Sequence, residues 1–358
     1  MSINVTEPYL PPLEKYLEYL KTIWSNKTLT NTGPLVQSLE AKLATFFNTN
    51  RVLFTSNGTV ALQLAIKALN LTGEIITTPF SYAATTSAII WEGCTAVFAD
   101  IKPDTLTINP YEVEKKITKN TQAILATHVY GIPCDTELLE NIANKYNLKI
   151  IYDAAHAFAV QYKGQSLVKF GDISIMSFHA TKLFHTIEGG ATISSDTTLM
   201  DRMVRMHNFG QKAKDEFYEV GINAKNSEFH AAMGLCNLEN IEAIIKKRYI
   251  IAKQYDDILL ENNILKKPTI PEYTEYNFAY YPIIFPSQEI LLRVMNELKQ
   301  ENIYPRRYFY PSLTKLNYTH GHAKVAEDIS QRILCLPMYD SLSPQTIRKI
   351  ANLILKTI

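Results

Sequence analysis

Seven short apolar runs, set apart by helical patterns and turns, constrain this chain more than any other feature. They lie at Val52–Thr55, Glu74–Thr78, Thr95–Asp100, Ala123–Val129, Lys149–Asp153, Ile173–Phe178 and Gly190–Ser194. The pattern predicts helices between several of them, at Thr59–Leu69, Ala83–Trp91, Pro110–Ile117 and Thr136–Tyr146. The runs are apolar throughout rather than alternating, as strands buried on both faces should be. Strand–helix alternation of this kind predicts an α/β fold, a mostly parallel sheet with helices on both faces.

The flanking regions read differently. Two helices precede the alternation, near Leu13–Ile23 and Leu35–Phe47, separated by a turn at Thr30–Pro34. The second carries Leu35, Leu39, Leu43 and Phe46 on one side. After Asn226 one long helix is expected from Ser227 toward Glu261, with Leu235, Leu238, Ile241 and Ile245 as its buried stripe. Two prolines in Lys266–Asn277 end that pattern. The remainder reads as a small α+β unit. It has strands at Phe278–Phe285, near Tyr304–Tyr308 and at Ile333–Leu336, and helices at Ser287–Glu301, near Ala323–Gln331 and from Pro344. A chain of 358 residues has room for one large domain, 1–240, and a smaller one, 241–358.

Charge narrows the partners. Thirty-six basic residues against 35 acidic ones give a net charge of +1, so no general field draws in nucleic acid or an anionic membrane. A local anion site stays open. No apolar run is long enough to span a bilayer, and Met-Ser-Ile-Asn-Val-Thr-Glu-Pro lacks the pattern of a signal peptide. The four cysteines (Cys94, Cys134, Cys236, Cys335) are far apart in sequence. They are expected to be reduced packing residues of a cytoplasmic protein. His320-Gly321-His322 has no nearby cysteine or histidine to complete a metal site, so no metal is expected.

Four segments could carry chemistry. Thr55-Ser56-Asn57-Gly58-Thr59 joins a strand to a helix start. The free N–H groups there attract phosphate, although an ordinary helix cap would look the same. Asp153 ends an apolar strand, where parallel sheets present functional side chains. A buried carboxylate needs a partner, which a protonated pyridine nitrogen or a structural arginine could supply. His156 follows in the same turn, where a core histidine bonded to backbone would also fit. Lys182 lies in Ser177-Phe178-His179-Ala180-Thr181-Lys182, just past the next strand. Apolar neighbours there would depress its pKa and free the amine for Schiff-base chemistry, unless it is simply a surface lysine. Glu188-Gly189-Gly190 precedes the last strand and suits a tight turn or a close approach to ligand. Jointly, an anion cradle, an acid for a ring nitrogen and a lysine for an aldehyde are what pyridoxal 5′-phosphate requires. Phe80 follows another strand and could lie on the ring face or pack in the core.

These segments resemble the nucleotide-sugar aminotransferases of the DegT/DnrJ/StrS type, within the fold-type-I pyridoxal-phosphate enzymes. The resemblance covers nearly the whole chain, from Leu29-Thr30-Asn31-Thr32-Gly33-Pro34 through Pro79-Phe80-Ser81-Tyr82 to Glu188-Gly189-Gly190. The His-Ala-Thr-Lys turn is similar to the branch that aminates C4 of dTDP-4-keto-6-deoxyglucose. Lys182 argues against a dehydratase branch that has histidine there.

The resemblance implies a mostly parallel, mixed seven-stranded sheet in a large cofactor domain. It also implies a small C-terminal domain and a cytoplasmic homodimer with shared sites. It makes Lys182 the cofactor-bearing catalytic lysine and Asp153 the partner of the ring nitrogen. Gly58, Thr59 and Ser177 would bind the phosphate, His156 and Phe80 would flank the ring, and Asn223 would reach the partner subunit's phosphate. The family often has arginine at Lys225 and methionine at Asn226, departures that bear on substrate contacts. Glu188, Lys225, Arg306, Arg307 and Tyr308 are the substrate-side candidates. Arg306 or Arg307 would meet the sugar diphosphate or the amino-acid carboxylate, although a solvated basic strand end is the alternative. L-glutamate would give 2-oxoglutarate, with pyridoxamine 5′-phosphate as the intermediate cofactor form. The product would be dTDP-4-amino-4,6-dideoxyglucose, for a lipopolysaccharide O-antigen. The competing readings are a transaminase for another keto sugar nucleotide, at C3 or C4, and a non-catalytic binding or regulatory protein.

Overall fold

The computed structural model describes residues 2–261 and 263–358. All seven apolar runs form strands: β1 (Val52–Thr55), β2 (Glu74–Thr77), β3 (Thr95–Phe98), β4 (Thr121–Thr127), β5 (Lys149–Asp153), β6 (Ile173–Ser177) and β7 (Gly190–Ile193). They make one sheet in the order β1-β7-β6-β5-β4-β2-β3. Strands β2 to β6 pair in parallel, and β7 runs antiparallel to both β1 and β6. The fold is therefore α/β with a mostly parallel, mixed seven-stranded sheet.

Both faces of the sheet are covered, which is why its strands do not alternate. On one side Ile75, Ile151 and Ile175 meet Ala61 and Leu62 of α3 (Gly58–Ala68) and Met203 of α7 (Thr197–Met206). On the other, Ile76, Ile150 and Tyr152 meet Val113 of α5 (Pro110–Lys116) and Leu139 of α6 (Thr136–Tyr146). Neighbouring residues of a strand thus enter opposite cores. Under β1 and β7 that second layer is supplied by α2 (Pro34–Phe47) and α8 (Glu228–Leu238). The buried Glu228 carboxylate accepts the N–H groups of Leu35 and Val36 at 2.8 and 2.9 Å, pinning the start of α2 to α8.

Three expectations need correction. The long helix after Ser227 is two helices, α8 and α9 (Ile241–Leu259). Asn240 breaks it: its side chain donates back to the Cys236 carbonyl at 3.1 Å, competing with the backbone ladder. Leu235 and Ile241 are buried on either side of the break, so the apolar period runs through it unmarked. On α2 it is Phe47 that enters the core, while Phe46 stays exposed and stacks on Phe158. The strand near Tyr304–Tyr308 shrinks to Ile303–Tyr304, which pairs in parallel with Ile3–Asn4 from the other end of the chain.

The C-terminal unit has its own core, where α9, α10 (Gln288–Gln300) and α12 (Pro344–Thr357) meet through Tyr255, Leu291, Leu298, Ile350 and Ile354. Its two strands, Tyr281–Ile284 and Ile333–Leu336, are antiparallel. All four cysteines are free and buried.

Candidate active site

A cavity of about 610 Å³ opens at the C-terminal ends of the parallel strands, where such sheets place their ligands. Register explains its floor. Gly190 pairs with Thr55 on one side and Ser177 on the other, so the ends of β1 and β6 flank the start of β7. A Cβ on Gly190 would lie 2.6 Å from the Asn57 carbonyl oxygen and 2.7 Å from the Gly58 nitrogen. The glycine therefore lets α3 begin directly against the sheet. Asn57 caps that helix by accepting the Val60 N–H at 2.9 Å. The first N–H groups of a helix have no carbonyl a turn earlier, so those of Gly58 and Thr59 remain for a ligand. Gly58 also packs on Ser177: a Cβ there would sit 2.9 Å from that of the serine.

Asp153 stands at the end of β5 and is buried. Its Oδ1 accepts the Ala155 N–H at 3.1 Å and its Oδ2 the Thr85 hydroxyl at 3.0 Å. Burial raises its pKa, opposed by those two hydrogen bonds and by the charge of Lys182. His156 accepts the Tyr130 N–H on Nδ1 at 3.0 Å, and burial keeps the ring neutral, lowering its pKa well below the usual value. Its ring lies 4.4 Å from that of Tyr280 and nearly parallel to Phe309 at 5.7 Å.

Lys182 follows β6 through a turn in which its N–H bonds the His179 carbonyl at 2.9 Å. His179 Nδ1 in turn meets the Thr181 hydroxyl at 2.8 Å. The amine donates to the Tyr280 hydroxyl at 3.4 Å. Burial lowers its pKa to about 8, with Asp153 pulling the other way. At neutral pH roughly one amine in ten would then be uncharged.

Most of the sequence candidates meet in this cavity: Gly58, Thr59, Asp153, His156, Ser177 and Lys182 on the floor, with Glu188, Arg306 and Tyr308 toward the mouth. Four are elsewhere. Phe80 is fully buried, edge-on to Tyr130 and Phe309, and is not part of the wall. Arg307 points its guanidinium at the Ser330 and Gln331 carbonyls in the last turn of α11 (Lys324–Arg332) and over the Tyr310 ring. Lys225 donates to Asn208 Oδ1 at 2.7 Å. Asn223 is exposed, its Oδ1 accepting the Lys225 N–H at 3.3 Å. Conversely, Tyr82, Tyr280, Phe309 and His179 line the cavity and were not among the candidates. Tyr82 had a signal, since it shares the loop after β2 with Phe80. Tyr280 and Phe309 had none, because only folding brings the C-terminal unit over the sheet.

A neutral-capable amine, a buried carboxylate and free helix N–H groups in one enclosure can hold a phosphorylated cofactor and move protons. Residues 13–355 match the model of the DegT/DnrJ/EryC1/StrS aminotransferase family. The chain is 41% identical to a dTDP-4-amino-4,6-dideoxy-D-glucose transaminase of Shigella dysenteriae, over 98% of both proteins. It is 32% identical to a GDP-perosamine synthase of Escherichia coli O157:H7, over 96% of this chain and 95% of that one. Among solved structures, that of DesI in the presence of its TDP-sugar product aligns with a TM-score of 0.95 at 32% identity, covering 99% of this chain and 93% of that one.

Proposed function

Because this chain belongs to the DegT/DnrJ/EryC1/StrS aminotransferase family, we propose that it transfers an amino group from L-glutamate to C4 of dTDP-4-keto-6-deoxy-D-glucose. It is a pyridoxal-phosphate-dependent sugar aminotransferase; the choice of donor and acceptor is the step proposed. The observation that carries the proposal is the convergence of Lys182, Asp153 and the start of α3 on one cavity.

The residues fit the cofactor. The N–H groups of Gly58 and Thr59, with the Ser177 hydroxyl, make a cradle for its phosphate that a Cβ on Gly58 would fill. Asp153 has two hydrogen bonds and, among the described residues, no cation in direct contact, which leaves its charge for a protonated ring nitrogen. Tyr82 and His156 supply flat walls on which the ring would lie. When bound, the cofactor supplies an aldehyde that condenses with amines and a ring that accepts an electron pair. The chain does the rest. Asp153 keeps the ring nitrogen protonated. Lys182 would take the donor's α-proton and later deliver a proton at the sugar's C4. Neutral His156 and the Tyr280 phenol stay uncharged beside it and do not compete for that proton.

The dTDP-linked acceptor is supported by the likeness to the Shigella dTDP-4-amino-4,6-dideoxy-D-glucose transaminase and to DesI, solved in the presence of its TDP-sugar product, and by the His-Ala-Thr-Lys turn. At the mouth, Arg306 would meet the sugar diphosphate; it lies by the Tyr308 ring and shares the cavity with His179 and Glu188. A homodimer accounts for Asn223, which is exposed next to Phe217, Tyr218, Val220 and Ile222. An apolar fringe of that kind suits a subunit interface, and Asn223 would serve the partner subunit's phosphate. The product suits a cytoplasmic route to an O-antigen sugar of lipopolysaccharide; no described helix is long and apolar enough to cross a membrane.

The test is product NMR after incubation with glutamate and either dTDP-4-keto-6-deoxyglucose or a GDP-linked 4-keto-6-deoxy sugar. Nitrogen on C4 of the dTDP sugar is expected. Nitrogen on C3, or turnover of the GDP sugar alone, would overturn the substrate assignment.

A further inference from the structure

Beside Asp153 runs a chain of three buried hydroxyls, two of them on cavity-lining Ser81 and Thr127, that the proposed reaction does not use directly. We propose that Thr85, backed by Ser81 and Thr127, is a positioning residue that holds Asp153 oriented and charged for the cofactor's ring nitrogen. The proposal rests on the cofactor site described above.

Proton bookkeeping sets the direction of the chain. The Thr85 hydroxyl donates to Asp153 Oδ2 at 3.0 Å. A hydroxyl has one proton, so Ser81, 2.8 Å from Thr85 Oγ1, must be the donor of that second bond. The Ser81 proton is then committed, and Thr127 donates to Ser81 Oγ at 3.1 Å. Every bond points toward the carboxylate. Aligned hydroxyls polarise one another, and the bond that ends on a charge gains most.

The components come from four places: the end of β4, the loop after β2, helix α4 (Ala83–Trp91) and the end of β5. All three hydroxyl residues are buried. The next residue on α4, Thr86, is equally buried, and its hydroxyl has no partner. Helix α4 therefore does not itself impose such a chain. Hydroxyls also suit the task better than a cation. An arginine or lysine here would neutralise Asp153 and leave nothing for the ring nitrogen, whereas a hydroxyl stabilises the anion without cancelling it. With Ala155 N–H on Oδ1 and Thr85 on Oδ2, the carboxylate plane cannot turn freely.

Few other groups titrate around it. Lys182 faces it from the turn after β6, with a pKa of about 8. His156, on the turn after β5, is held neutral by burial, as is His128 past the end of β4, whose pKa falls to about 3. Burial pushes the Cys134 thiol well up. Of these groups Asp153 is the acid whose charged form burial disfavours and the Thr85 bond favours. Loss of the Thr85 bond removes a stabiliser of the charged form, so Asp153 would protonate at a higher pH.

The experiment measures the affinity of cofactor-free protein for pyridoxal 5′-phosphate from pH 5 to 8, by absorbance, for the wild type, Thr85→Val, Thr85→Ser and Ser81→Ala. Thr85→Val should weaken binding at pH 6 by about tenfold or more, the scale of a hydrogen bond to a charge. Its acid limb should also move up by about one pH unit. Thr85→Ser should restore the wild-type limb, and Ser81→Ala should move it the same way by less. An unmoved limb in both Thr85→Val and Ser81→Ala, with any loss equal at every pH, would reduce the chain to packing and overturn the proposal. If Thr85→Val does not fold, Ser81→Ala decides alone, since its hydroxyl does not touch the carboxylate. If the wild type binds no cofactor, it is the cofactor site that fails.

Discussion

The floor of the cavity and its mouth are built by different means. On the floor, backbone register does the positioning: Gly190 opposite Ser177 and Thr55, Asp153 at a strand end, α3 starting against the sheet. Asp153 and His156 there are buried and hydrogen-bonded, and the N–H groups of Gly58 and Thr59 are left for a ligand. At the mouth, side chains reach into water. Tyr82 is 60% exposed, the His179 and Glu188 side chains are 46% and 55% exposed, and they meet at 3.5 Å. Electrostatic contacts are strong on a dry floor and screened at a wet mouth. Changes to the floor should therefore abolish chemistry or cofactor binding, and changes to the mouth should alter substrate affinity. The experiments below test that division, beginning with the largest expected effect.

Lys182→Ala removes the only amine on the floor among the described residues. Turnover should fall by roughly 10³-fold or more, since general acid–base groups commonly contribute 10²–10⁴. The phosphate cradle is untouched, so pyridoxal 5′-phosphate should still bind, read by equilibrium dialysis. Retained turnover would mean that another group moves the proton, and the division would fail at its centre.

The same lysine offers a second measurement. In cofactor-free protein, its labelling by an amine-reactive sulfonate should rise with pH with a midpoint near 8, because burial disfavours the ammonium form. An ordinary lysine would continue rising to about 10.5. At pH 7 the difference amounts to roughly 300-fold in reactive amine. A midpoint near 10.5 would place Lys182 in water, and the floor would not be dry.

The two regions also differ in how much of them the sequence discloses. Asp153 and Lys182 were legible because each lies at or just past the end of an apolar strand, and strand ends in parallel sheets converge in space whatever the loops do; Ser177 came from the family resemblance alone. Gly58 was legible because a strand-to-helix turn needs a close approach. Side-chain direction in loops was not. Phe80 and Tyr82 are two residues apart, yet one is fully buried and the other lines the cavity. Nothing local chooses between them; the contacts of Phe80 with Tyr130 and Phe309, distant in sequence, do. The helix break at Asn240 escaped for a related reason, since the apolar period continues across it while a single side-chain bond to Cys236 stops the helix.

Gly58→Ala tests the floor more gently. The added Cβ would meet Ser177 at 2.9 Å from its Cβ and 3.3 Å from its Cα. Backbone cannot swing aside as a side chain can, so the start of α3 must retreat. Cofactor affinity should fall by about tenfold, the scale of one lost charge-assisted hydrogen bond. Unchanged affinity would show that the phosphate does not depend on this helix start.

The smallest effects distinguish two adjacent arginines. Arg306 lines the mouth beside the Tyr308 ring, whereas Arg307 bonds the Ser330 and Gln331 carbonyls at 3.1 and 2.9 Å. A cation over the last carbonyls of α11 complements the helix dipole, and its position 3.4 Å from the Tyr310 ring centroid adds to the packing. Arg306→Ala should raise KM for the sugar nucleotide by about fivefold to tenfold, leaving kcat and stability nearly unchanged, because exposed substitutions cost under about 0.5 kcal/mol. Arg307→Ala should do the reverse: KM unchanged and stability down by about 1–2 kcal/mol, from two lost hydrogen bonds at a half-buried site. Steady-state kinetics and urea denaturation of the two variants decide the matter. If Arg307→Ala raised KM and Arg306→Ala did not, the diphosphate would lie on the α11 side, and the mouth would have to be redrawn around Tyr310.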